Sequence, residues 1–194
     1  MAKKLELFYP VYPHTVNRPW GFVDSLYQKL GFVRHNGTDL ALEHGQEIRA
    51  PFDCIVVKNG YQPEGSGNYI CLLSVDEFEF PDKNCLVELT FMHLLCSVAK
   101  EGDELKAGDL VALGDNTGLS TGNHTHLAPK RVIKFPGRYE CADENDALNT
   151  FDPEPYWNHK YAKEIGSNES ARLSLQQQID RANMILEQLR NSGR

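Results

Sequence analysis

The sequence predicts a mainly β chain of the α+β class: an antiparallel sheet core followed by a C-terminal helix. Three observations predict it. Between about residues 47 and 133, short apolar or alternating runs are separated by Gly, Ser, Asn and Asp, the punctuation of hairpins rather than of helical crossovers. Fifteen glycines and ten prolines supply turns in the number a many-stranded fold needs. From Ser167 onward the chain has neither proline nor aromatic residue, and its apolar residues fall at helical spacing.

The elements come in order. Residues 1–30 are mixed, with turn signals at Pro10, Pro13, Asn17 and Pro19-Trp20-Gly21. "FVDSLYQKLGF" reads as one short helix, because Phe22, Leu26 and Leu30 are four apart and Gly31 offers a stop. "EIRAPFDCIVVKNG" alternates, then runs apolar, and reads as a strand ending at Asn59-Gly60. "NYICLLSV" comes after the turn "GSGN", "CLVELTFMHLL" is a third strand, and "DLVALG" is a short one. Residues 134–160 read as an irregular wrap that packs across the core or walls a groove, with Pro153 and Pro155 breaking regular structure. At the C-terminus, Leu175, Ile179, Ala182, Leu186 and Leu189 make an apolar stripe on a helix that Ser167 or Asn168 caps and Arg190 closes. That stripe either packs on its own domain or pairs with another chain. The expected division is a domain over 1–160, its motifs within about 17–133, and a helical extension over 161–194.

Charge narrows the function classes. A net charge of −7 argues against a nucleic-acid binder and against a membrane-surface binder, both of which carry basic faces. A local basic patch is left at Lys130, Arg131 and Lys134. No apolar run is long enough to span a bilayer. "MAKKLELFYPVYP" carries two lysines, but Pro10 and Pro13 break its apolar run early, so synthesis in the cytoplasm without a secretory signal is expected. The five cysteines, Cys54, Cys71, Cys85, Cys96 and Cys141, form no C-x-x-C and read as reduced, mostly buried thiols.

The histidines carry the chemistry. "RHNGTDL" gives His35 and Asp39, "FMHLL" gives His93, and "GNHTHL" gives His124 and His126. In an extended strand, residues two apart face the same side, so His124 and His126 look into one cleft. Each place alone reads as a packed core histidine. Three such places beside glycine-rich turns on one β chain point to a metal centre. His44 reads as a loop residue near the site, His14 and His159 as surface or packing residues, and Asp53, Asp115 and Asp152 as turn acids. Thr121 and Asn123 are either ordinary turn residues or groups that orient the rings.

With these motifs the chain resembles the LytM/lysostaphin-type zinc peptidases of the M23 family, over roughly Asn17 to Leu127. "VNRPWG", "HNGTDLAL", "HGQEIRAPFDCIVVKNG", "GNYICLL", "FMHLL" and "EGDELKAGDLVALGDNTGLSTGNHTHL" occur in that family's order and at compatible spacing. Thr125 stands where the family usually has leucine, Cys54 replaces a common glycine, and "APKRV" replaces an aromatic and an acid. The resemblance implies an antiparallel core of the duplicated hybrid-motif type. It implies Zn²⁺ held by His35, Asp39 and His126, with an open fourth position as in catalytic zinc sites. It implies catalytic roles for His93 and His124, one as general base and the other as hydrogen-bond donor to the developing oxyanion. It further implies an endopeptidase acting on the peptide cross-links of bacterial peptidoglycan, here expected to be a phage lysin or virion-associated hydrolase acting on the cell wall. The C-terminal helix would then serve virion docking or self-association. Two other readings keep the fold without the chemistry: a wall-binding or regulatory module, and a virion structural protein. No Gly-x-Ser-x-Gly elbow is present, which argues against serine hydrolysis.

Overall fold

A computed structural model describes every residue except 1, 24, 30, 32, 137, 144–148, 166–179, 181, 182, 184–186 and 188–194. Its strands are β1 (Lys3–Lys4), β2 (Leu7–Tyr9), β3 (Val16–Arg18), β4 (Thr38–Ala41), β5 (Glu47–Arg49), β6 (Cys54–Gln62), β7 (Gly67–Ser74), β8 (Phe78–Glu79), β9 (Asn84–Ser97), β10 (Glu104–Leu105), β11 (Leu110–Gly114), β12 (His124–Phe135), β13 (Arg138–Cys141) and β14 (Trp157–Tyr161). One short helix, α1 (Ser25–Lys29), lies between β3 and β4. The main sheet runs β10-β6-β7-β9-β12-β4-β3, with β11 joining β9 to β5 and β13 extending β12. Apart from the β1–β8 pair, its pairings are antiparallel.

The long strand β9 organises the sheet. Its odd-numbered residues Cys85, Val87, Leu89 and Phe91 are buried in the core. They meet Leu72 and Ile70 across β7 and Leu127 across β12, all fully buried. Burying each such side chain contributes about 1.5–3 kcal/mol. The even-numbered residues Glu88, Thr90 and Met92 face the other way, on the side to which the pleat sends His126.

Several expectations are revised. The strand does not end at Asn59-Gly60: β6 continues to Gln62, and Gly60 pairs with Tyr69. A Cβ at Gly60 would come within 2.8 Å of the Tyr69 hydroxyl, so this glycine makes room for a ring rather than a reverse turn. The expected wrap over 134–160 is partly regular. Arg138–Cys141 pairs with β12 as a hairpin, and Trp157–Tyr161 pairs in parallel with β2. Pro153 and Pro155 belong to a single 3-10 turn ahead of β14, and they do not stop the strands on either side. Helix α1 lies within the expected stretch, and Gly31 follows it at φ +82°. Phe22 at its start is exposed; Leu30 lies outside the described residues. The C-terminal helix is not established: the segment falls almost wholly outside the described residues, of which Asp180, Asn183 and Glu187 are helical and exposed. All five cysteines are free, and no described helix is long and apolar enough to cross a membrane.

The β2–β14 pair draws the N-terminal residues against the segment after Thr150 and builds an aromatic cluster. Tyr9 stacks on His14 at 3.8 Å between ring centroids, packs on Trp157 at 5.5 Å, and shares a 2.6 Å hydrogen bond between its hydroxyl and Nδ1 of His159. Neither ring nitrogen of His14 finds a partner among the described residues. Burial pulls the pKa of His14 down to about 4, and nearby His159 adds to the shift. The unfolded chain, with an ordinary histidine near pKa ~6.5, therefore takes up this proton first. The neutral ring's contribution to stability is complete above pH ~6.5 and is lost as the pH falls toward about 4. His14→Phe keeps the stack and removes the titration. Urea midpoints measured from about pH 7 to about pH 4.5 should fall more steeply for the parent chain than for His14→Phe; parallel curves would reject the assignment.

Candidate metal centre

The pairing of β4 with β12 sets Asp39 directly opposite His126, and Ala41 opposite His124. His35 lies four residues before Asp39, in the turn leading into β4. Its backbone is clamped from both sides: His35 N–H donates to the Phe22 carbonyl, and Gly21 N–H donates to the His35 carbonyl, both at 2.8 Å. Pro19 supplies the third contact, its carbonyl accepting from His35 Nδ1 at 3.0 Å. A carbonyl can only accept, so this bond puts the ring proton on Nδ1 and leaves Nε2 with a free lone pair.

Three ligand atoms then converge. His35 Nε2 lies 3.1 Å from Asp39 Oδ1 and 2.9 Å from His126 Nδ1, and His126 Nδ1 lies 3.0 Å from Asp39 Oδ1. All three residues are buried, and among the described residues they form the one His/Cys/Asp/Glu group with metal-ligand convergence. Burial works to raise the Asp39 pKa, but the His126 and His35 rings against it outweigh that and hold the carboxyl well below its usual range. Burial also lowers the pKa of His126, against the pull of Asp39. The donor set is therefore two imidazoles and one ionised carboxylate aimed at one point away from water. That set fits Zn²⁺, and the two nitrogens argue against Ca²⁺ or Mg²⁺, which prefer oxygen-only shells.

Two more imidazoles stand beside this group. The His93 and His124 rings are 4.8 Å apart, and His93 is 6.4 Å from the His126 ring. His124 Nδ1 donates to the Gly122 carbonyl at 2.8 Å, and its Nε2 lies 3.6 Å from Asp39 Oδ1. His93 Nδ1 donates to the Thr117 carbonyl at 2.9 Å. In both rings the backbone holds Nδ1–H and leaves Nε2 free as a base. Burial lowers the His93 pKa to about 4, even though the Thr117 bond favours the charged ring.

Simple alternation would send His93 into the core, on the face of Leu89 and Phe91. A bulge prevents that. Two steps along β7, from Asn68 to Ile70, match three along β9, from Leu94 to Phe91. His93 sits in this extra step at φ +62°, a conformation costing about 1–3 kcal/mol for a residue with a Cβ. Bulges of this kind re-aim a side chain. Here the strain is offset by His93 N–H donating to the Ser66 carbonyl at 2.8 Å and by the Thr117 bond.

The family model for peptidase family M23 matches residues 33–131, about half of the chain. The chain belongs to peptidase family M23. It is 37% identical over 92 residues to an uncharacterized metalloprotease of Haemophilus influenzae, covering 47% of this chain and 18% of that one. It is 33% identical over 93 residues to the glycyl-glycine endopeptidase ALE-1 of Staphylococcus capitis (48% and 24%). It is 29% identical over 92 residues to the peptidoglycan DD-endopeptidase ShyA of Vibrio cholerae (47% and 19%). The chain thus spans under a quarter of the length of these curated relatives. Its fold is that of the catalytic domain of lysostaphin from Staphylococcus simulans, at TM-score 0.56 and 24% identity over 74% of this chain and 91% of that one. A prophage-encoded M23 protein, EnpA from Enterococcus faecalis, shares the fold at TM-score 0.52 and 22% identity, over 70% and 92%.

Within the M23 framework, the residues singled out in the sequence come together: His35, Asp39 and His126 as one group, His93 and His124 beside it. His44 lies on the adjoining loop, its Nδ1 2.8 Å from Asp115 Oδ1. Asp53 and Asp152 are turn acids that accept from backbone N–H groups. The ring-holding groups of the strap before β12 are Ser120 Oγ and the Gly122 carbonyl rather than Thr121 and Asn123. Thr125, the departure from the family's usual leucine, is fully buried and its hydroxyl donates to the Met92 carbonyl at 3.0 Å, beside the bulge. Sequence reading missed the carbonyls of Pro19, Ser66 and Thr117, because a backbone acceptor carries no residue signature.

Sequence reading also missed Gly37, and there a signal existed: a glycine placed between two ligands. A Cβ at Gly37 would fall 2.5 Å from His126 Nε2 and 2.6 Å from the Leu127 carbonyl. Metal analysis after dialysis should find one zinc per parent chain and none in Asp39→Ala or His126→Ala. Gly37→Ala should fold with a loss of about 1–3 kcal/mol and bind zinc roughly 10–100-fold more weakly. Unaltered zinc affinity in Gly37→Ala would show that His126 does not hold the ion where it stands.

Proposed function

We propose that the chain is a zinc-dependent endopeptidase that cuts the peptide cross-links of bacterial peptidoglycan. The observation that carries this reading is the convergence of His35, Asp39 and His126 with two free imidazole Nε2 atoms, those of His93 and His124, beside the same point. A module that only binds the wall has no use for the second pair. Zinc bound by the three ligands would supply a Lewis acid for the scissile carbonyl and an acidified water. The chain's own residues do the rest. Burial of the ligands excludes competing water, and the Nδ1 anchors fix both outer rings without using Nε2. One ring takes the proton from the attacking water and delivers it to the leaving amine; the other, protonated, donates a hydrogen bond to the charge developing on the carbonyl oxygen.

Substrate enters along the open side of the sheet. Beyond Met92 lies a concave floor of about 760 Å³, lined by Tyr69, Cys71, Glu88, Thr90 and Lys130 among others. The peptidoglycan substrate class is supported by the activities named for ALE-1 and ShyA. Delivery by a phage, as a lysin or as a virion-associated hydrolase, is part of the proposal, with residues 161–194 as a docking or self-association extension. The fold is one that a prophage-encoded protein also uses, and immunodetection in purified phage particles would test this route.

Zinc-loaded protein incubated with purified sacculi should release muropeptides lacking one defined cross-link, and a chelator should stop the release. His93→Ala and His124→Ala should each retain zinc and lose roughly 10²–10⁴-fold in rate. Intact sacculi across several cross-link chemistries would sink the endopeptidase reading, and a fully active His93→Ala would remove His93 from the mechanism.

A further inference from the structure

We propose that a pocket walled by Tyr9, Tyr12 and Tyr161 is a sugar subsite that takes one N-acetylated amino-sugar ring of the glycan strand. The proposal rests on the reading of peptidoglycan as the substrate. The pocket, about 280 Å³, lies between the N-terminal residues, β5 and the end of β14. That is close to the lower end of ordinary ligand sites, roughly 300 Å³, and suits a single ring. Tyr161 packs edge-on to Tyr12 at 4.6 Å and lies tilted against Tyr9 at 5.4 Å. Tyr12 is 64% exposed, yet it is held in place: its carbonyl accepts from Gln46 Nε2 at 2.7 Å, and Gln46 Oε1 accepts from Glu43 N–H at 2.7 Å. Tyr12 is thus fixed at its base and packed on Tyr161 along one edge, with most of its side chain left in water.

Arg49 also lines the pocket. Its side chain is 5% exposed. Nη1 donates to the Gly108 carbonyl at 2.8 Å and Nη2 to Glu47 at 2.7 Å, while Nε–H has no partner among the described residues. That atom is itself buried, so Arg49 serves the pocket as a fixed positive charge rather than through Nε. The chemistry of the occupant is set by these walls. A pyranose ring offers an apolar C–H face to tyrosine and oxygens at its rim, and an acetamido carbonyl is an acceptor for Arg49. An ammonium group would suit the tyrosine faces but would meet Arg49 and Lys163 against Glu47 alone, a local excess of one positive charge. A purely apolar group would leave Arg49 unanswered.

The pocket adjoins a second hollow on the β4 side. That hollow, of about 650 Å³, shares Tyr12, Gly45 and Gln46 with it and reaches Ala41, the residue paired opposite His124. Tyr9, Tyr12, Tyr161 and Lys163 lie outside residues 33–131, while Gly45, Gln46, Glu47 and Arg49 lie within them.

The test titrates the full zinc-loaded chain with peptide-free glycan strands and with the N-acetylglucosamine tetramer. Calorimetry and the emission of Trp157, which packs 5.5 Å from Tyr9, track the binding. Saturable binding is expected with both probes. It should persist with chelator present and weaken at least tenfold in Tyr12→Ala, a surface change that leaves the core intact. No saturation up to about 10 mM, or equal binding by Tyr12→Ala, would overturn the proposal. So would a Tyr12-dependent signal from free stem peptide where glycan gives none. Binding needs no turnover: loss of glycan binding with muropeptide release intact sinks only the subsite, and the converse sinks only the endopeptidase reading.

Discussion

The site depends on one register. Antiparallel pairing of β4 with β12 sets Asp39 opposite His126, at the short cross-strand spacing that brings side chains of opposed residues into contact. A slip of one residue would oppose His126 to Leu40, a fully buried core residue, and turn every ligand on one strand to the wrong face. The core enforces this register: Leu40 and Leu127 face inward from the same two strands that carry Asp39 and His126 outward. Packing and ligation are thus two faces of one alternation. The third ligand, His35, lies off the ladder and is fixed by the backbone clamp of Pro19, Gly21 and Phe22. The close approach of Gly37 to His126 lets that turn lie flat against β12.

Against this regular frame, His93 is the deliberate irregularity. The bulge and the left-handed backbone at His93 place a strained residue in the middle of the longest strand. The surroundings over-determine it. The strap after β11 gives it the Thr117 carbonyl, while Thr117 itself donates its hydroxyl to the Leu94 carbonyl and accepts from Asn68 N–H. Thr125 takes up the Met92 carbonyl. Each bond is worth only about 0.5–1.5 kcal/mol net, yet three or four of them match the roughly 1–3 kcal/mol of strain. The hydroxyl of Thr125 is one way to meet the acceptor that a leucine at this position would leave to other groups.

These two features explain what was legible in the sequence. His124 and His126 were readable because two apart on a strand is one face; His35, off the ladder, and Asp39 were readable as a pair four apart through the resemblance to M23 peptidases. The antiparallel class was readable from the turns between apolar runs. His93 was different. Its residue type was conspicuous but its direction was not, because alternation alone puts it in the core and only the resemblance to M23 peptidases suggested otherwise. Asn59-Gly60 was misread for a related reason. A glycine that accommodates Tyr69 across a ladder looks the same in sequence as a glycine that turns the chain. Strand β14 was missed because its partner is distant in sequence: it pairs with β2, about 150 residues earlier, and no local pattern announces such a pairing. Strand β13 was missed because its own residues, Arg138–Cys141, are exposed or half-exposed and carry no apolar alternation.

Charge shows why composition alone misleads about partners. A chain of net charge −7 should be repelled by an anionic polymer, but at physiological salt that repulsion is screened beyond about 8 Å. What a bound substrate meets is therefore the local set. The basic patch expected at Lys130, Arg131 and Lys134 does not act as one. Arg131 is tied to Asp82 at 2.5 Å and to Asp143 through both Nε and Nη2, so its charge is already matched. Lys130 and Lys58 instead line the groove floor with Glu88 and Glu101. Two cations and two carboxylates on one floor make a surface of mixed sign. It neither attracts nor repels a polymer by bulk charge. The acidic remainder of the surface sets the net charge and the long-range field without setting what the groove can hold.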